Sequence, residues 1–354
     1  MEYLLETFGE GTILTVLGLL VGIVFGAAAY QSRFCLRAAT VEVAEGQWGG
    51  RFAIWLVAFF TAVFAVQLAI TLGWLNVVDA RQLANTGSLS GAIIGGLMFG
   101  IGMILARGCA SRLLVLSATG NLRAMLTGLV LTIVAQASLT GVLAPTREGL
   151  STLWAVPGDT SRDLLALIGL TSPVAAALAG LCLTGALVFA ARKGVRLSWI
   201  VSAALVGLAV AGGWVGTYQV ARASFEVVAI TSVTFTGPST DTLMALVNAP
   251  NPPLGFGLGL VPGVFIGAGT AAVLTGGFHI ERFGKDTPME RYMIGAVLMG
   301  FGSMLAGGCA VGAGMSGGAI FSLTAWVAVG CMWIGAMATH RLLPKGRGVV
   351  AAAI

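Results

Sequence analysis

The chain has 354 residues, of which 57% are hydrophobic and 9% charged, and its formal net charge is +5. Its mean hydropathy is +0.95. A soluble domain carries about 25% charged residues, so this composition excludes an ordinary soluble fold, and the abundance of apolar residues excludes a disordered chain. The apolar runs are continuous rather than alternating, which disfavours a β-barrel. The composition therefore predicts an all-α polytopic membrane protein.

Apolar segments of transmembrane length follow one another along the chain, and nine are predicted to span the bilayer. They are residues 11–31, 51–73, 89–106, 122–144, 173–192, 197–219, 256–278, 289–306 and 320–341. Four intervening stretches are too long for turns, too short to span, and rich in Gly, Ser, Thr or Pro. They are residues 32–48, 107–120, 234–249 and 307–318. We expect short re-entrant helices there, because irregular backbone is tolerated at membrane depth only where protein shields it.

The basic residues predict the orientation of the chain. All but four of the 19 Lys and Arg residues fall on the side that holds the C-terminus, and the positive-inside rule makes that side the cytoplasm. The N-terminus is then periplasmic, in a bacterial inner membrane. Residues 1–10 are acidic and lack the basic start of a cleaved signal peptide.

An internal repeat relates the two halves of the chain. Residues 95–110 and 295–310 are identical at eight of sixteen positions without a gap. The halves, residues 11–144 and 197–341, are joined by the single segment 173–192. One linking span inverts the second half relative to the first. We therefore expect a single transporter domain of two inverted repeats, with a binding site near the midplane between them.

A cysteine follows a glycine by nine residues at three places, Cys35, Cys109 and Cys309, and each of them ends a Gly-rich apolar helix. A thiol at a helix break, beside the positive N-terminus of the next short helix, is a favourable place for an anion. The alternative is that each cysteine is merely a small buried residue. Repetition of one spacing favours a substrate pathway, whereas Cys182 and Cys331 lack this context and are expected to pack.

Arginines flank two of these cysteines. Arg33 and Arg37 lie beside Cys35, and Arg107 and Arg112 lie beside the second cysteine of the pattern. A guanidinium near the bilayer core is costly and marks a substrate path, and its fixed fork of donors suits an oxyanion. Snorkelling of these side chains to the cytoplasmic headgroups is the alternative.

Other motifs point away from enzymatic chemistry. The chain contains no CxxC pair and no P-loop, so no metal, cofactor or ATP hydrolysis is predicted. Ser316 lies in a GxSG motif of the kind found in intramembrane serine proteases, but such an enzyme needs a facing base. The histidines, His279 and His340, are both placed at predicted helix ends. For the hydroxyl-rich stretch 234–241, a polar pathway wall and a surface turn are equally open.

The sequence resembles the YeeE/YedE family of sulfur-compound transporters. The resemblance is carried by GIVFGAAAYQSRFCLRAAT (22–40), GGLMFGIGMILARGCASRLL (95–114) and GAVLMGFGSMLAGGCAVGAGMSGG (295–318). It implies an hourglass-shaped membrane protein with buried short helices and a substrate pathway through the three repeated cysteines, next to Gly108 and Gly308. It also implies a TusA-like sulfur carrier as a cytoplasmic partner.

Together these features predict a transporter or channel, not an enzyme, that imports thiosulfate or a related sulfur-containing anion. Thiols offer weak donors and polarizable contacts to the terminal sulfur of thiosulfate, and guanidinium groups suit its oxygens. Two alternatives remain: a membrane thiol enzyme that handles sulfane sulfur or disulfides, and a transporter of another sulfur or selenium compound.

Overall fold

A computed structural model describes residues 7–248, 254–282 and 289–343. Residues 1–6 of the acidic N-terminus, and Lys285, Lys345 and Arg347 of the predicted cytoplasmic charges, lie outside these ranges. The described helices, in chain order, are α1 Glu10–Ser32, α2 Leu36–Ala44, α3 Gly50–Thr71, α4 Arg81–Ala84, α5 Leu89–Leu105, α6 Ala110–Ala118, α7 Leu122–Leu139, α8 Ala144–Thr152, α9 Leu164–Ile168, α10 Ser172–Arg192, α11 Leu197–Ala223, α12 Thr236–Asn248, α13 Phe256–Leu274, α14 Met289–Leu305 and α15 Leu323–Leu342. A 3₁₀ turn covers Asp159–Ser161 and a π-helix covers Gly312–Gly317.

The prediction of an all-α polytopic membrane protein is confirmed. Each of the nine predicted spans falls on a long helix, and eight helices among the described residues are long and apolar enough to cross a membrane. The described part of α14 is 17 residues long. The count of nine crossings stays a prediction.

The four intervening stretches each contain a short helix, as the sequence predicts. They are α2, α6, α12 and the π-helix. The π-helix is buried along its whole length. These short elements place polar backbone ends inside the protein, where the shielding that such ends require is available.

The segment between α7 and α10 forms a small cap that the sequence does not predict. It contains α8, α9 and β2 (Ala155–Val156), which pairs antiparallel with β1 (Gly87–Ser88) before α5. Arg162, one of the four basic residues predicted on the periplasmic side, is buried in this cap. Its guanidinium donates to Thr324 Oγ1 at 2.7 Å and to the Asn85 carbonyl. Burial lowers the pKa of Arg162 and Arg81 lowers it further, yet a guanidinium stays charged.

Glycines bring α5 and α14 into backbone contact. A Cβ added at Gly95 would lie 2.5 Å from the Gly302 carbonyl oxygen, and one at Gly302 would lie 2.7 Å from the Gly95 oxygen. Gly102 and Gly295 face each other in the same reciprocal way, at 2.7 Å in both directions. The repeated glycines of the two halves therefore pack against each other, as small residues do in close helix crossings.

Helix packing follows the correspondence expected of two equivalent halves. The contact of α1 with α13 is matched by that of α11 with α3, and the contact of α5 with α15 is matched by that of α14 with α7. The short α2 packs on α15, and its counterpart α12 packs on α7. The α5–α14 and α1–α11 contacts lie between counterparts. This pattern accords with a repeat, and the inverted relation of the halves stays a prediction.

Candidate functional site

Three long helices, α1, α5 and α14, end in the same backbone motif. A residue with positive φ follows each helix, and the amide of the next residue donates to a carbonyl five positions back. The positive-φ residues are Arg33 at 54°, Arg107 at 55° and Gly307 at 77°. The hydrogen bonds are Phe34 to Ala29 at 3.2 Å, Gly108 to Met103 at 3.2 Å and Gly308 to Ser303 at 2.9 Å. This is a Schellman C-cap. In all three cases the residue that donates this hydrogen bond is followed directly by a cysteine.

The conformation of two of these residues is costly. Left-handed backbone suits Gly307 but costs an L-residue such as Arg33 or Arg107 roughly 1–2 kcal/mol. Strained positions of this kind concentrate at functional sites. Arg33 and Arg107 are therefore candidates for a functional role, which their side-chain surroundings can test.

The three cysteines are buried and open the short helical segments. Cys35 and Cys109 are the N-cap residues of α2 and α6. The Cys309 carbonyl accepts from the Ala313 amide at 2.8 Å and begins the turn into the π-helix. The Gly312 amide donates to Cys309 Sγ at 3.5 Å. Each thiol therefore sits at the positive end of a short helical segment, where an anion is favoured.

The structure brings two of the cysteines together. The side chains of Cys35 and Cys109 are near enough to influence each other electrostatically, and Ser111 Oγ lies 3.4 Å from Cys109 Sγ. No interaction among the described residues joins Cys309 to this pair. The three predicted pathway residues thus form one pair and one separate thiol.

Six half-buried arginines form one electrostatic cluster, and three of them, Arg37, Arg51 and Arg112, act directly on the Cys35 thiol. The six are Arg33, Arg37, Arg51, Arg107, Arg112 and Arg123. The buried Nε of Arg37 has no hydrogen-bond partner among the described residues. The Arg33 guanidinium lies 5.2 Å from the Trp199 ring, a cation–π contact that holds it in the protein.

The arginine cluster lacks acidic partners. Within the described ranges the ion pairs are Arg147 with Glu148 and His340 with Glu45, and neither includes a cluster arginine. Glu42, which lies near Arg51, accepts hydrogen bonds from the backbone amides of Arg51 and Phe52 at 3.2 and 2.9 Å. The positive potential is therefore largely uncompensated, and such a cluster concentrates anions.

Arg51 and Arg123 were counted in the sequence only as cytoplasmic charges. Each is the second residue of the long helix that follows a cysteine-bearing short helix, α3 after α2 and α7 after α6. Arg123 also donates to the Tyr292 hydroxyl at 3.1 Å. An arginine in the first turn of the long helix after each of these short helices is the sequence signal that could have identified both as members of the cluster.

The glycines that precede each cysteine by nine residues serve packing rather than the site. The Cβ positions of Gly26, Gly100 and Gly300 face carbonyl oxygens of Val264, Met332 and Leu131 on neighbouring helices. Gly108 and Gly308 occupy the turn after the Schellman residue, and a Cβ at Gly308 would lie 2.9 Å from the Ala313 amide nitrogen.

The remaining candidates fall outside this cluster. Cys182 is exposed on α10, and Cys331 is half-buried on α15. Ser316 is buried and donates to the Val233 carbonyl at 2.6 Å, while His340 pairs with Glu45. The described part of the chain therefore shows no base beside Ser316, and it also lacks any group of three His, Cys, Asp or Glu side chains able to hold a metal.

The chain is similar to known transport proteins. A family model described as sulphur transport matches residues 31–338. The thiosulfate transporter TsuA of Escherichia coli (strain K12) is 26% identical over 351 residues, covering 90% of this chain and 91% of that protein. The thiosulfate transporter TsuA of Spirochaeta thermophila is 26% identical over 324 residues, covering 88% of this chain and 93% of that protein.

Proposed function

The chain belongs to the sulphur-transport family, and on that premise we propose that it imports thiosulfate, or a closely related sulfur oxyanion, through a cysteine pathway. Membership makes it a multi-pass transporter of a sulfur compound, not an enzyme. The substrate, the direction and the pathway are the proposal. The single observation that carries it is the pairing of the buried Cys35 and Cys109 side chains beside a cluster of arginines that form no ion pair within the described ranges.

The chemistry of the cluster suits thiosulfate better than a harder anion. Thiosulfate has a soft terminal sulfur and three hard oxygens. Cysteine side chains offer weak donors and polarizable contacts to the sulfur, while guanidinium groups bind the oxygens in a fixed fork. Weak thiol contacts also allow release, which transport requires. Sulfate lacks the soft sulfur, so it gains less from the thiols.

The proposed route follows the arrangement of the halves. If residues 11–144 and 197–341 are inverted repeats, Cys309 opens from the periplasmic face, and Cys35 with Cys109 opens from the cytoplasmic face. An anion would pass from Cys309 to the thiol pair and leave along the arginine cluster. A TusA-like sulfur carrier at the cytoplasmic mouth is the partner we propose for the product.

The test is uptake of radiolabelled thiosulfate in cells that lack their own sulfate and thiosulfate systems. We compare the parent with Cys109→Ala, and use Cys182→Ala as the matched control because Cys182 is exposed on α10. Uptake by the parent and the control but not by Cys109→Ala, at equal expression, supports both substrate and pathway. Full uptake by Cys109→Ala would overturn the cysteine pathway, and no uptake by the well-expressed parent would overturn the substrate.

A further inference from the structure

The start of α12 is the counterpart of the Cys35 turn. At the offset of 200 residues that relates Cys109 to Cys309, Cys35 corresponds to Phe235. The Cys35 carbonyl accepts from the Ala39 amide at 3.3 Å, and the Phe235 carbonyl accepts from the Ser239 amide, also four residues on, at 2.9 Å. The fold therefore has four equivalent helix starts, and the fourth carries no thiol.

A buried hydroxyl takes the place of the missing thiol. Phe235 turns to pack on Phe25, with ring centroids 5.1 Å apart. The next residue, Thr236, is only 1% exposed, and its Oγ1 has no hydrogen-bond partner among the described residues. Since the Cα–Cβ bonds of a helix tilt toward its N-terminus, this hydroxyl lies over the positive end of α12, a helix of 13 residues.

The backbone at this point also has free donors. The amides of Thr236 and Gly237 precede the first intrahelical bond, and neither has an acceptor among the described residues. A buried donor without a partner is costly, and buried polar groups in native proteins are almost always bonded. Unbonded amides are usual in the first turn of a helix, but the buried Thr236 hydroxyl beside them is not, and it points to a ligand that supplies an acceptor.

This helix start lies beside the Cys309 segment. The Thr234 side chain occupies the space next to Gly312, whose amide donates to Cys309 Sγ. Ser316 of the π-helix donates to the Val233 carbonyl. The extended residues that lead into α12 are thus bound to the segment that carries the third thiol.

We propose that the Thr236 hydroxyl, with the amides of Thr236 and Gly237, forms a fourth station that binds the oxygen atoms of the transported anion beside Cys309. The proposal rests on the proposed function and adds a residue to its pathway. The station offers only oxygen-seeking donors, so it recognises the sulfonate end of thiosulfate while the thiol meets the terminal sulfur. Asp241, on the same helix, acts electrostatically on Arg81, whose charge offsets that of the carboxylate.

The experiment measures equilibrium binding of radiolabelled thiosulfate to the purified protein, and uptake by proteoliposomes from the same preparation. Thr236→Val keeps the side-chain shape and removes the donor. Thr236→Ser restores the donor. Thr61→Val is the matched control, because Thr61 is also buried in a helix but its hydroxyl already donates to the Val57 carbonyl at 2.7 Å.

We expect Thr236→Val to raise the Kd for thiosulfate about tenfold, the loss of one hydrogen bond to a charged group. Thr236→Ser and Thr61→Val should stay within about twofold of the parent, since neither removes a donor from the station. If Thr236→Val has the Kd of the parent, the proposal of a fourth station is overturned. If the parent in the same experiment takes up thiosulfate and Cys109→Ala does not, the proposed function still stands. A folded parent that neither binds nor takes up thiosulfate would overturn both.

Discussion

Replacing Arg107 by glycine should make the protein more stable and a poorer transporter. Arg107 has φ 55° at the Schellman position, where the second half has Gly307 at φ 77°. Left-handed backbone costs an L-residue roughly 1–2 kcal/mol, whereas the greater chain entropy of glycine costs about 0.5–1 kcal/mol. The difference is a gain of about 0.75 kcal/mol, within a range of about 0–1.5 kcal/mol, in the free energy of unfolding. Loss of the repulsion between Arg107 and Arg37 acts in the same direction.

The functional cost comes from the same substitution. Arg107 is one of the six arginines of the cluster beside the paired thiols, so its removal weakens the attraction for an anion and should raise the KM for thiosulfate uptake. Arg107→Ala separates the two effects, because it removes the charge but keeps a side chain in the left-handed position. Gly307→Ala is the reverse control and should lose about 0.75 kcal/mol, within the same range.

The assays are thermal unfolding of the purified variants in detergent and uptake at varied thiosulfate concentration. The expected order of stability is Arg107→Gly above Arg107→Ala, with both variants showing a raised KM. If Arg107→Gly is no more stable than Arg107→Ala, the strain argument is wrong. If its KM equals that of the parent, Arg107 has no part in the pathway.

Three further substitutions test the rest of the structure. Gly302→Ala should lower the free energy of unfolding by about 1–3 kcal/mol through overpacking. The control Gly330→Ala, with nothing within 4 Å of its Cβ position, should leave the free energy of unfolding unchanged. Equal thermal unfolding midpoints for the two variants would contradict the close crossing of α5 and α14. Ser316→Ala should lower the free energy of unfolding by about 1 kcal/mol, because it leaves the Val233 carbonyl unpaired, but should retain uptake. A stable variant without uptake would indicate a chemical role for Ser316. Arg162→Met should lower the free energy of unfolding, measured by chemical denaturation, by about 3 kcal/mol, because two charge-assisted hydrogen bonds are lost. A stability equal to that of the parent would show that Arg162 does not anchor the cap.

Composition and periodicity were enough to predict the long helices and the four short ones, because lipid exposure demands continuous apolar segments and internally bonded backbone. The cap around Arg162 escaped prediction because its elements are too short to show a periodicity. The glycine spacing that singled out three cysteines has a cause that the sequence does not reveal. It records helix contacts, such as Gly300 against Leu131, and the cysteine follows because the same helix ends at a fixed distance from its contact.

Side-chain neighbours across the fold were less predictable. Arg51 and Arg123 join the arginine cluster because the helix after each short element begins beside the thiols, which is a tertiary relation. Thr236 was part of a stretch that equally suited a surface turn, and its burial decides against the turn. The correspondence of Phe235 with Cys35 is invisible in residue identity and emerges only when the hydrogen bonds of the two helix starts are compared.

The crossing of α5 and α14 has a mechanical consequence. Where Gly95 meets Gly302 and Gly102 meets Gly295, main chain rests on main chain, with no rotamer between them to yield. A transporter that works by rocking needs an interface at which helices can slide, whereas close main-chain packing between α5 and α14 resists sliding. The same two helices are followed by Cys109 and Cys309. The spacing between those thiols is therefore fixed by main-chain contact. In the pathway that we propose, this distance would stay constant while the anion passes.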